Sequence, residues 1–147
     1  MYYFKDINEN NFEEVIALKI KDEQAGFLNS NQYSLAQANV SPQYICKAIY
    51  YEDKLIGFLV YNFISEDSIF LKTYMIDENF QGQGHGKNAL ISIMSYLKSL
   101  YDINSIELMH YPNNSLSAHL YESVGYHLTG EERMSDAIEV VRLYKFK

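Results

Sequence analysis

The chain has 147 residues, is 48% hydrophobic and carries a net charge of −7. That size and apolar content fit one folded domain, residues 1–147, and exclude a disordered or low-complexity chain. The acidic balance excludes non-specific nucleic-acid binding and favours cationic partners such as amines.

The first stretch, "MYYFKDI", reads as a short strand. "NENNFEEVIALKI" puts Phe12, Val15, Ile16, Leu18 and Ile20 at helical spacing. "DEQAGFLNSNQ" breaks that pattern and reads as a loop. Ser34 is the expected cap of a second helix, "LAQANVSPQYI", which Pro42 interrupts. Three strand-like runs follow: "CKAIYYE", "LIGFLVYNFIS" and "IFLKTYMID". Short polar joints connect them, so they are expected to be antiparallel neighbours. Beyond a glycine-rich turn, "GKNALISIMSYLKSLYD" shows a helical stripe of Leu90, Ile91, Ile93, Met94, Leu97 and Leu100. "SIELMHY" is a strand, and "PNNSLSAHLYESVG" a short helix stopped by Gly125. "YHLTGEERM" and "AIEVVRLYKF" close the chain as two strands. The order defines a mixed α/β fold.

"LIGFLVYNFI" is the longest apolar stretch and too short to span a bilayer, and the polar N-terminus does not read as a leader. No membrane partner is therefore expected. The lone Cys46 reads as a core thiol and permits no disulfide within the chain. A cytoplasmic location is expected. The four His and single Cys show no metal-ligand spacing, so no metal is expected.

The informative stretch is "MIDENFQGQGHGKNALISIM", Met75 to Met94, with glycines at 82, 84 and 86. Strand, glycine turn and helix together make an anion cradle, because the first helical turn has unpaired N–H groups at the positive end of the macrodipole. It is not a Walker A loop, since Asn88 follows Gly86-Lys87. Nor is it a dinucleotide fingerprint, since Lys87 stands where a third glycine belongs. Gln81, Gly84 and Gly86 do fit Gln-x-x-Gly-x-Gly.

That spacing resembles the acetyl-CoA-binding motif of the GCN5-related N-acetyltransferase superfamily. "NNSLSAHLYESVGY" resembles the family's second hallmark, Asn-x-x-Ala-x-x-Leu-Tyr-x-x-x-Gly-Phe. Asn114, Leu120, Tyr121 and Gly125 match, with Ser117 for Ala and Tyr126 for Phe. "DEQAGFLNSNQYSLAQA" with "YMIDENFQGQGHGKNAL" is similar to bacterial spermine/spermidine acetyltransferases. The resemblance implies a mostly antiparallel sheet, splayed between its fourth and fifth strands and flanked by helices. It implies acetyl-CoA as co-substrate, held by the strand backbone at Tyr74, Met75 and Ile76 and by Gln81, Gly82, Gln83, Gly84, His85, Gly86 and Lys87. Asn114 would touch the cofactor or cap its helix, and Tyr121 would bind beside the sulfur and protonate the leaving thiolate. The backbone donor to the oxyanion is expected on the strand from Tyr74 to Ile76, with Met75 the first choice.

The pattern departs at Lys72, where several relatives carry a carboxylate; an ammonium is a poor base there. His110 is an alternative base, and Glu107 faces either into the crevice or away from it. Asp22, Glu23, Phe27 and Tyr33 are the expected acceptor contacts, with Tyr2 and Tyr3 as further aromatic walls. The implied partners are acetyl-CoA, a small amine and a second copy of the chain. Other acceptors, an aminoglycoside or a peptide amine, stay open, as does a non-catalytic acyl-CoA-binding module.

Overall fold

The computed structural model describes residues 1–21 and 29–147. β1 (Tyr2–Lys5), β2 (Ile45–Tyr51), β3 (Lys54–Ser65) and β4 (Ser68–Ile76) form an antiparallel half-sheet, and two-residue joints at Glu52-Asp53 and Glu66-Asp67 set the β2–β3 and β3–β4 registers. α3 (His85–Leu100) then crosses over to β5 (Ser105–His110), which runs parallel to β4. α4 (Ser115–Val124), β6 (His127–Met134) and β7 (Ile138–Lys145) complete the chain, giving the strand order β1-β2-β3-β4-β5-β7-β6. The expected element order and the splay between the fourth and fifth strands are both observed.

The splay has a visible cause. β4 pairs with β5 only from Ser68↔Ser105 to Phe70↔Glu107. Immediately beyond, the β3 register slips: Tyr61 opposes Leu71 while Val60 opposes Thr73, which leaves Lys72 as an extra residue. Such a bulge bends its strand and raises its twist. β4 stays paired with β3 beyond the bulge, and β5 runs on paired with β7 alone.

Apolar residues cover both faces. Leu90, Ile93 and Leu97 of α3 pack with Ile56, Tyr74, Ile106 and Tyr121 on one side. Val15 of α1 (Phe12–Ala17) packs with Ala48, Phe58, Val60 and Met75 on the other, and α2 (Asn31–Val40) adds Leu35 there. The α3 stripe is narrower than expected. Ala89 is buried in it, whereas Ile91 and Leu100 reach solvent.

Three boundaries correct the sequence reading. α1 stops at Ala17 because the backbone of Lys19 is engaged elsewhere: its N–H donates to Asp77 Oδ1 (2.8 Å) and its carbonyl accepts from Glu78 N–H (2.6 Å). The cap of α2 is Ser30, whose hydroxyl accepts from Tyr33 N–H, while Ser34 is buried within the helix. α2 also ends at Val40, so Pro42 stands outside it and Ile45 already belongs to β2.

Gly57 shows how closely β3 and β4 approach. A Cβ there would collide with the Met75 carbonyl and press on Ile76 and Ile49. Gly57→Ala should cost about 1–3 kcal/mol, the usual range for overpacking. Chemical denaturation of the two proteins checks it, and equal midpoints would refute the close approach.

Candidate active site

A cavity of about 390 Å³ opens where β4 and β5 part. The glycine turn forms one end of it. Asp77 caps a short 3-10 turn, Glu78–Phe80, by accepting from Asn79 N–H, and Gln81 Nε2 donates back to the Ile76 carbonyl (2.8 Å). Gly82 (φ +76) and Gly84 (φ +87) occupy the left-handed region, and Gly84 is the residue from which α3 starts. Gly86 is helical, and its carbonyl accepts from Tyr74 Oη (2.6 Å). No side chain caps this end of α3 and no acidic residue stands in its first turn. The amides ahead of Asn88 have no carbonyl one turn back, and no carboxylate there would repel a pyrophosphate. The turn therefore suits a phosphate-bearing cofactor.

The strand edge offers further donors. Asp77 N–H bonds the Ile56 carbonyl (2.7 Å), so residues 56 and 77 form a hydrogen-bonded antiparallel pair. Such pairs alternate, so Phe58 and Met75, which face one another, form the next one. The amide of Met75 therefore faces β3, and those of Tyr74 and Ile76 face the edge that β5 has left. The open backbone donors belong to Tyr74 and Ile76, in place of the one expected at Met75.

Gln81, Gly82 and Gly86 line the cavity with Tyr74, Met75 and Ile76. Asn114, His110 and Tyr121 line it from the β5–α4 side. Asn114 also caps α4, accepting from Ser117 N–H (3.2 Å). Gln83, Gly84, His85 and Lys87 shape the turn but do not line the cavity. The Gln83 amide donates to the Asn79 carbonyl, and the His85 ring turns away, with Nδ1 2.8 Å from Tyr2 Oη and the ring against Tyr51. Tyr2 is thus an anchor for the turn, and neither it nor Tyr3 lines the cavity. Tyr33 is 54% exposed on α2 and does not line the cavity. Asp22, Glu23 and Phe27 lie outside the described residues.

Tyr121 is buried, and burial pushes its phenol up to about 12. His110 is buried as well. Its Nε2 lies 2.9 Å from Arg142 Nε, which donates to it, and its Nδ1 lies 2.9 Å from the Tyr111 carbonyl. A ring accepting at Nε2 and donating at Nδ1 is neutral. Burial, with Arg142 adding to it, lowers its pKa below the usual imidazole range. Neither nitrogen offers a free lone pair in this arrangement. Glu107 is buried but turned to Arg133 (2.5 Å), and it does not line the cavity. Lys72 does line it, with its ammonium 5.5 Å from the centre of the Tyr44 ring. Burial also pushes the half-buried Cys46 thiol up to about 11, which suits an inert thiol.

Glu139 of β7 also lines the cavity and was not singled out from the sequence. Strand alternation alone could not separate it from Glu107. Among the described residues no cluster of His, Cys, Asp or Glu could hold a metal ion, and no helix is long and apolar enough to cross a membrane.

A parallel strand pair that parts over a glycine turn and a bare helix N-terminus defines a coenzyme A-dependent acyl-transfer fold. The chain belongs to the acetyltransferase (GNAT) family, whose model matches residues 3–126, and it is an N-acetyltransferase with acetyl-CoA as co-substrate. The spermine/spermidine N(1)-acetyltransferase of Bacillus subtilis (strain 168) is 28% identical over 134 aligned residues, covering 86% of this chain and 88% of that protein. Among solved structures, the aminoglycoside acetyltransferase AAC(6')-Ib in complex with coenzyme A matches with a TM-score of 0.82 at 11% identity, covering 99% of this chain and 95% of that one. A PaiA N-acetyltransferase from Thermoplasma acidophilum with coenzyme A matches with a TM-score of 0.70 at 16% identity, covering 99% of each chain.

Replacing Gly84 forces a side chain into the left-handed region, at a cost of about 1–2 kcal/mol, and displaces the start of α3. Gly84→Val should weaken coenzyme A binding by about tenfold or more. Gly130 (φ +88) lies in β6 with open space around it and supplies the control. Gly130→Val should carry similar strain and leave binding unchanged, as read by calorimetric titration of both variants.

Proposed function

We propose that the acceptor is a small polycationic amine, a polyamine such as spermine or spermidine, acetylated at a primary amino group. The observation that carries this reading is the shape and lining of the cavity. It passes through the sheet opening, from the glycine turn and Tyr121 on the α3–α4 side to Ile20, Met109 and Glu139 on the other. Leu71, Met75, Met109 and Leu116 add apolar surface between and beside its polar groups. A chain of methylenes carrying amines at intervals matches that sequence of surfaces. The named Bacillus relative supports it.

Acetyl-CoA supplies the acetyl group as a thioester, and the chain's own groups supply the rest. The glycine-turn amides would hold the pyrophosphate. The open amides of Tyr74 and Ile76 would bind the cofactor arm and the oxygen on which charge develops. Tyr121 stays protonated and would donate a hydrogen bond to the sulfur. The burial that raises its pKa also raises that of a thiolate beside it, so the two shifts offset and the transfer is less uphill than the phenol's shift alone implies. His110, held neutral by Arg142 and Tyr111, would act as a fixed polar wall; serving as a base would first require breaking its bond to Arg142.

Thiol release from acetyl-CoA against spermine, spermidine, a diamine, an aminoglycoside and a peptide tests the acceptor. A polyamine should lead by about tenfold or more in kcat/KM. A preference for the peptide or the aminoglycoside, or no turnover with any amine, would overturn the polyamine reading. Tyr121→Phe should lower kcat by about 10²-fold and leave KM for acetyl-CoA within about threefold. With its pKa raised to about 12, the Tyr121 proton is present at all lower pH and lost only above that value. The wild-type rate should therefore show no alkaline loss from this group below about pH 11. A fall that Tyr121→Phe abolishes would refute that.

A further inference from the structure

The charges lining the cavity are unevenly placed. Lys72 stands at the bulge of β4 and brings an ammonium to that side of the cavity. On the facing wall, Glu139 is the one carboxylate among the described lining residues. It sits at the start of β7, beside Val140, which opposes His110 at the end of β5. Its cross-strand neighbour on β6 is Arg133. That guanidinium is already engaged, by Glu107 at 2.5 Å and by Glu131. Glu139 accepts one hydrogen bond, from Ser135 Oγ to Oε2 at 3.0 Å. Its Oε1 has no hydrogen-bond partner, and the carboxylate no ion pair, among the described residues.

Strand alternation fixes the side of the sheet. Leu108 packs with the α3–α4 core, so Met109 faces the opposite side, where Arg133 Nη1 lies 4.0 Å from its sulfur. Glu139 shares that face with its pair mate Arg133. It therefore meets the cavity from the side opposite Gly86 and Tyr121.

We propose that Glu139 is the acceptor-binding carboxylate, receiving the ammonium of the incoming amine on the β7 wall. This rests on the reading of a cationic amine as acceptor and supplies the residue that recognises it. Lys72 repels an ammonium from the β4 side, and Glu139 attracts it across the gap. Glu139 acts in binding; no proton transfer is assigned to it.

The test compares Glu139→Gln with Glu139→Asp and with Glu131→Gln, which removes the same charge from the same sheet face outside the cavity. Steady-state kinetics are measured with spermidine, or with whichever amine of the panel the wild type prefers. Glu139→Gln should raise KM for the amine by about tenfold or more, the scale of a lost hydrogen bond to a charged group. KM for acetyl-CoA should stay within about threefold. Glu139→Asp should recover most of the loss, and Glu131→Gln should match the wild type. An unchanged amine KM in Glu139→Gln, or an equal rise in Glu131→Gln, overturns the proposal while the acceptor reading stands. A wild type that turns over no amine overturns both.

Discussion

The site depends on one broken pairing. After Phe70 and Glu107, β4 and β5 stop exchanging hydrogen bonds, and the extra residue at Lys72 bends β4 away. A parallel pair left open is normally costly, since each unpaired amide in a buried setting needs another partner. Here the exposed edge becomes a row of donors beside a cavity. The same bend aims the end of β4 at the glycine turn, so the edge donors and the helix amides share one crevice. Had β4 and β5 paired to their ends, the fold would keep its core and lose its opening.

The turn is held from outside its own segment. Asp77 and Glu78 exchange hydrogen bonds with Lys19, Tyr74 reaches the Gly86 carbonyl, and Tyr2 meets His85. These contacts come from the chain beyond α1, from β4 and from β1. Each hydrogen bond is worth about 0.5–1.5 kcal/mol net, yet together they hold the turn before α3 from three directions. Lys19 matters for a second reason. The bonds that end α1 early also carry Ile20 and Lys21 to the cavity wall, so the acceptor side and the cofactor turn are fastened to each other.

Much of this was legible in the sequence where the signal is local. The glycine spacing, the α3 stripe and the stop at Gly125 each depend on residues within a few positions of one another, and the structure shows a turn, a helix and a helix end there. The misreadings are of two kinds. Ser30 and Ser34 were equivalent caps by residue type, and the choice fell to where the helix could begin against Val15 and Met75, both of which Asn31 contacts. Leu18 and Ile20 fit a helical pattern, but the Lys19 backbone found long-range partners. For the site, the chain offers carboxylates at 107, 131, 132 and 139. Which of them Arg133 neutralises depends on the register of three strands that are distant in sequence. The buried bond from Arg142 to His110 is hidden for the same reason.

In the proposed arrangement, in which the opening passes through the sheet, cofactor and acceptor would be handled by opposite faces of the same strands. Successive residues along β4, β5 and β7 belong to different tasks, and a substitution on one face leaves the other's surface intact. Such an arrangement separates two kinds of heritable change. On that reading, acceptor preference would drift through Lys72, Met109 or Glu139 while the glycine turn and Tyr121 are preserved. A sheet divided in this way would let one function change without the other.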